Sequence, residues 1–113
     1  MKLITAYIQP FMAEKVTDAL RTAKVHGVTV VQCQGFGRIT EGKSPHYMEE
    51  AAALGFAAKT KIEIVCRNAD TEGIVATIRE HAHTGHYGDG KIFVSDIGEA
   101  VDIRTDERGE NVV

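Results

Sequence analysis

The apolar residues of this chain spell out a strand, a helix and a strand, and after an interruption the same order again. Leu3 to Ile8 alternates, with Leu3, Thr5 and Tyr7 on one face and Ile4, Ala6 and Ile8 on the other. That is a strand with both faces largely covered, and Pro10 ends it. Met12 to Val25 has helical spacing, with Met12, Val16, Ala19, Leu20 and Ala23 in one stripe. Gly27 reads as the stop signal. Val28 to Phe36 is rich in β-branched residues and forms the second strand. The second copy begins with the alternating strand Thr60 to Cys66. Asn68 and Asp70 are candidate N-caps for a helix whose stripe is Ile74, Val75, Ile78 and Ala82. That helix runs out at Thr84-Gly85, and Lys91 to Asp96 is the fourth strand. Ala100 to Arg104 reads as one more short strand, followed by a charged tail, 105–113, expected to be loose until it meets something.

This order is the split βαβ, or ferredoxin-like, pattern: an α+β sandwich of order βαββαβ. The chain, 1–113, is a single domain by length. The sheet should be antiparallel with both helices on one face. Leu3, Val31 and Ile64 cannot all be satisfied by those two helices, so the other face should be covered by self-association. With 6% aromatics and no Trp, the core must be aliphatic. A net charge of −3 and a pI near 5.9 argue against a nucleic-acid binder, which would carry a basic stripe. No signal peptide or membrane-length apolar run is visible, so a cytoplasmic protein without membrane insertion is expected. Cys33 and Cys66 read as reduced thiols; as both lie in strands that could be neighbours, a redox pair is the alternative.

Two stretches break the pattern. Residues 37–58 hold Gly42, Pro45 and many charges, with no period across them. An insertion of roughly 20 residues is long for a compact domain and reads as a functional, mobile arm. The second stretch is Thr84-Gly85-His86-Tyr87-Gly88-Asp89-Gly90-Lys91. Glycines let backbone N–H groups converge into an anion-binding concavity, and Lys91 adds a charge that suits phosphate. A phosphate cradle and a plain glycine-rich turn both fit this composition. The loop precedes a strand, so it is neither a Walker loop nor Gly-x-Gly-x-x-Gly, both of which open a helix.

The chain resembles the P-II signal transduction proteins, and specifically a divergent P-II-like branch, over almost its whole length. The resemblance is carried by Ile8-Gln9-Pro10-Phe11, by Gly35-Phe36-Gly37-Arg38 and by Lys59-Thr60-Lys61-Ile62-Glu63-Ile64-Val65. Above all it is carried by Thr84-Gly85-x-x-Gly88-Asp89-Gly90-Lys91-Ile92-Phe93-Val94, and it continues through Ile103 to Glu110. It implies a homotrimer with adenine nucleotides, ADP, AMP or ATP, in the clefts between subunits. Phosphates would lie on the glycine loop (the B-loop, 84–91) at Gly88, Asp89, Gly90 and Lys91, with Arg38 and Arg104 reaching them. Thr29 and the backbone near Glu63 and Val65 would line the adenine end, and Gly35 and Gly37 complete the nucleotide set. The arm would be the family's T-loop, with Ile39, Tyr47 and Lys59 on its effector side. It reports ligand state to enzymes, transcription factors or membrane transporters; a transporter for inorganic carbon or nitrogen is the partner expected here.

Departures from the nitrogen-sensing pattern bear on the ligand. Ile39 stands where those members carry Gln, Gln9 where they carry Lys, and Asp102 where they carry the first of two late arginines. Tyr47, the only tyrosine of the arm, lies earlier than the uridylylated one. These differences speak against ATP preference, 2-oxoglutarate sensing and uridylylation. They favour a branch of the kind that binds ADP or AMP, of which one member responds to bicarbonate. His81, His83 and His86 cluster after the second helix, so a metal-binding trimer of the same scaffold is the alternative function. His81 and His83 are two apart and would diverge on a helix. No nucleophile–base pair stands out, so a sensor is expected and not an enzyme.

Overall fold

The computed structural model describes residues 1–37 and 56–113. The strands are β1 (Lys2–Ile8), β2 (Val28–Gly35), β3 (Ala57–Cys66) and β4 (Gly90–Asp96), and the helices are α1 (Ala13–Thr22) and α2 (Thr71–Ala82). They form one antiparallel sheet of order β2-β3-β1-β4. The ferredoxin-like α+β architecture is therefore as the sequence pattern predicts.

Both helices pack on one sheet face, where Ile4, Ala6 and Ile8 of β1 meet Ile62 and Ile64 of β3, Val16 and Leu20 of α1, and Ile74, Ile78 and Ala82 of α2. Each buried Ile, Leu or Val stabilises the fold by about 1.5–3 kcal/mol relative to exposure. The face assignment of Ile64 is a correction. It is paired with Ile4, lies among the helices and is only 1% exposed, so it needs no outside cover. Its neighbour Val65, paired with Leu3, is the residue on the opposite face. That face also carries Val31, Tyr7 and Phe93, all substantially exposed.

Helix α1 is shorter than the apolar stripe predicts. A 3-10 turn, Pro10–Met12, precedes it, and the stop comes before Gly27. Lys24 takes φ 60°, its N–H bonds Arg21 O at 2.9 Å, and Val25 N–H bonds Leu20 O at 3.0 Å. This is a complete Schellman closure with lysine where glycine is usual. At α2, neither Asn68 nor Asp70 acts as a side-chain cap. Both lie in a 3-10 turn, and Asp70 instead pairs with Arg67 at 2.9 Å.

Strand pairing corrects one further expectation and rules out one alternative. Ala100–Arg104 is not a strand; only an isolated bridge, Val101 to Arg108, forms there. The tail after it is folded back, ending in a 3-10 turn, Glu110–Val112. Cys33 and Cys66 do lie on adjacent strands, but Cys33 faces Lys59 and Cys66 faces Lys2. Seven residues of strand separate those positions along β3, about 23 Å, which no disulfide spans. Both thiols are free.

Candidate functional site

The glycine loop connects α2 to β4, and it is held by its own side chains. The Asp89 carboxylate accepts hydrogen bonds from Thr84 N–H at 2.8 Å, Gly85 N–H at 3.1 Å and the Thr84 hydroxyl. Burial pushes the Asp89 carboxyl up, but these bonds, with the charge of His83, outweigh it and hold it below its ordinary range. Asp89 is thus a clamp: its negative charge is satisfied by the loop's own donors. Gly85, Gly88 and Gly90 take φ of 89°, 88° and 114°. At Gly90 a Cβ would lie 1.8 Å from the carbonyl oxygen of Tyr7, so glycine is required there for β4 to pair with β1.

Gln9, 4% exposed, donates from Nε2 to the Gly88 carbonyl at 2.6 Å. In the sequence Gln9 stands within the Ile8-Gln9-Pro10-Phe11 segment and as a departure from the Lys of the nitrogen-sensing pattern, with no structural role assigned. The structure makes it the strut between the end of β1 and the loop. A polar residue immediately before the Pro that ends a strand was the available signal.

Lys91 follows on the open face of β4, opposite Tyr7. Gly35 closes β2 opposite Ala57, and Gly37 is exposed just beyond it. Lys59 is half-buried opposite Cys33. Phe36 and Phe56 stack edge-to-face with centroids 5.6 Å apart at the root of the arm. All of these lie at the Ile8 end of the sheet, since Ile8 pairs with both Thr60 and Gly90. Arg38, Ile39, Tyr47 and most of the 37–58 arm fall outside the described residues.

The residues that the resemblance gives to the adenine lie further along: Thr29 and Glu63 level with Thr5, midway along β1, and Val65 level with Leu3. Thr29 pairs with Glu63 and Leu3 with Val65. They line a groove of about 400 Å³ together with His26, Gly27, Val112 and Val113. Glu63 also approaches Lys61 at 3.6 Å. A larger groove of about 880 Å³ adjoins it, between Lys24, His26, Arg67 and Glu110.

Arg104 sits in the turn that follows Val101. Asp102 Oδ1 accepts from Arg104 N–H at 2.8 Å and Thr105 N–H at 2.9 Å, and Asp102 N–H bonds Glu107 O at 2.9 Å. These donors hold the Asp102 carboxyl below its usual range. Asp102 is therefore spent on shaping the turn that presents Arg104.

The histidines do not converge. His81 Nδ1 contacts Thr77 O at 2.8 Å, back along its own helix. Among the described residues no group of three or more His, Cys, Asp or Glu could hold a metal ion.

Strand register relates the two groups. Lys91 pairs with Tyr7 and Tyr7 with Lys61, so on the open face Lys91 lies two β3 positions from Glu63, about 7 Å along the strand, and two strand spacings, about 10 Å, across. Thr29 lies one strand further out, opposite Glu63.

The nitrogen regulatory protein P-II family model matches residues 1–107. The nitrogen regulatory protein P-II of Mesorhizobium japonicum is 44% identical over 113 residues, which is all of both chains. The nitrogen regulatory protein P-II 2 of Methanothermobacter thermautotrophicus is 43% identical, over all of this chain and 97% of its own. A crystal structure of Arabidopsis thaliana PII bound to citrate superposes with a TM-score of 0.77 at 34% identity. The match covers 97% of this chain and 86% of that one.

Proposed function

The chain belongs to the nitrogen regulatory protein P-II family, and from that premise we propose that it is a non-enzymatic regulator. In this reading it binds adenine nucleotides between copies of itself in a homotrimer and signals through its 37–58 arm to a protein partner. The observation that carries the reading is the glycine loop itself: Asp89 gathers its backbone donors, Gly85, Gly88 and Gly90 take positive φ, and Lys91 stands exposed beside it. The shared site follows from the family resemblance, with Gly88, Gly90 and Lys91 of one copy facing Thr29, Glu63 and Val65 of the next. The exposed apolar sheet face, with Tyr7, Val31 and Phe93, supplies the surface on which such copies associate.

ADP and AMP are the favoured ligands, with Mg-ATP no tighter. The phosphate end offers Lys91, Arg104 and the loop amides, and Asp102 stands where a further cation would have to be. Each added phosphate brings more charge into a partly desolvated cleft with fewer partners. 2-oxoglutarate is not expected to strengthen ATP binding, and bicarbonate belongs in the same ligand screen. The relatives' names support nitrogen regulation as the setting, and a membrane transporter for nitrogen or inorganic carbon is the proposed partner class.

Complementation tests the site. Lys91→Ala should weaken ADP binding by about 1.5–3 kcal/mol, the scale of a charged hydrogen bond. Thr29→Val with Glu63→Ala should weaken it from the other side. Mixed assemblies of the two variants should regain a fraction of intact sites, read as a tight phase in calorimetry. Affinity equal to the parent in Lys91→Ala, or no regain on mixing, would overturn the two-chain site.

A further inference from the structure

The turn containing residues 110–112 lies on the wall assigned above to the adenine. We propose that residues 110–113 are a hinged flap, which occupies the base end of the nucleotide groove and swings out when a purine nucleotide enters. This rests on the nucleotide reading and adds a regulator to that site.

Three observations carry it. The first is placement. Val112 and Val113 line the same groove as Thr29, Glu63 and Val65, while Glu110, Asn111 and Val113 line the larger groove beside it. The segment is therefore the partition between the two.

The second is a fixed base with a pivot. The Val101–Arg108 bridge and the bond from Gly109 N–H to Ala100 O at 2.9 Å anchor the chain up to Gly109. Gly109 itself takes φ 90°, ψ −158°, a region essentially reserved for glycine. A Cβ there would meet nothing within 4 Å, so the glycine answers a torsional need and not a lack of space.

The third is a weak hold beyond the pivot. Val112 N–H bonds Gly109 O at 3.1 Å and Val113 N–H bonds Glu110 O at 3.3 Å. Both bonds move with the flap, so neither resists rotation about Gly109; the hold from outside it is the attraction of Glu110 to the exposed Arg67 guanidinium, which Asp70 already pairs. No residue of the turn is buried.

The competition is then between two occupants of one surface. The valines offer the groove only apolar area. A purine offers a flat apolar ring and also an edge that can hydrogen-bond Thr29 and the backbone of β3. A closed flap lowers apparent affinity by the fraction of chains in which the groove is open.

Nuclear magnetic resonance on the full isotope-labelled chain tests this directly. Contacts between the methyls of Val112 and those of Thr29 or Val65 should be seen in the free protein and lost with saturating ADP, while the Gly88 and Gly90 amides shift. Absence of the contacts in the free protein, or their persistence while the glycine amides shift, overturns the flap and leaves the nucleotide site standing. No shift at the glycine amides overturns both. Independently, a chain stopped after Gly109 should bind ADP and AMP at least threefold more tightly, as the closed fraction is removed. Unchanged or weaker binding overturns the proposal, since the segment is then indifferent or part of the pocket. Gly109→Ala, which disturbs the pivot at full length, should shift affinity in the same direction as truncation.

Discussion

Gly90 shows how a residue can belong to a ligand loop and yet be fixed by the core. Its missing Cβ lets the Tyr7 carbonyl approach, and that approach registers β4 against β1. Gly90→Ala combines a backbone clash with an unfavourable torsion, so it should destabilise the fold by about 2–4 kcal/mol. Urea unfolding of the two proteins measures this, and a loss below about 0.5 kcal/mol would show that the loop, and not the sheet, needs the glycine. Lys24 presents the opposite case. It holds a left-handed position at φ 60° that glycine fills without strain. Lys24→Gly relieves about 1–2 kcal/mol of strain and costs about 0.5–1 kcal/mol of chain entropy. A net gain of about 0.5 kcal/mol is expected, visible as a raised thermal midpoint.

At the scale of the element, the glycine loop depends on the ionised form of Asp89. Its carboxyl is held below the ordinary value in the folded chain, so its bonds contribute their full stability above about pH 4. That contribution is lost as pH falls through the lower folded value. Asp89→Asn removes the charge at every pH. The midpoint gap between parent and variant should therefore be widest near pH 6 and shrink toward pH 3; a gap constant with pH would mean the clamp does not depend on charge. The turn after Val101 is built in the same way, with Asp102 in the place of Asp89. In both loops an aspartate collects backbone donors and leaves a cation, Lys91 or Arg104, exposed beside it.

For the whole molecule, one sheet face is dressed by the helices and the other is left with Tyr7 and Phe93 in edge-to-face contact, centroids 6.3 Å apart. They are 37% and 54% exposed, more than an aliphatic core of this size would leave to water. Phe93→Asp should break the proposed trimer, reduce the mass by light scattering and abolish ADP binding together, because the half-sites then part. A variant that stays trimeric, or a monomer that still binds ADP with parental affinity, would contradict the shared-site reading.

The periodicities of β1 and α2, and the order of all six elements, were legible because alternation and a 3.6-residue stripe are local consequences of burying one face. The P-II glycine segment was legible because torsion restricts its residue types. Contacts between residues far apart in sequence were not. Gln9 reaches Gly88, Ile64 falls on the helix side, Val101 meets Arg108 instead of extending a strand, and Cys33 is out of register with Cys66. Lys24 closes α1 ahead of Gly27, because a chain closes its helix wherever the two terminal bonds can form. The sequence by itself determined the elements, their order and the residue types able to bind phosphate. Only tertiary structure decided how those residues stand on the sheet relative to Thr29, Glu63 and Val65, since strand register is fixed by long-range pairing and leaves no local mark.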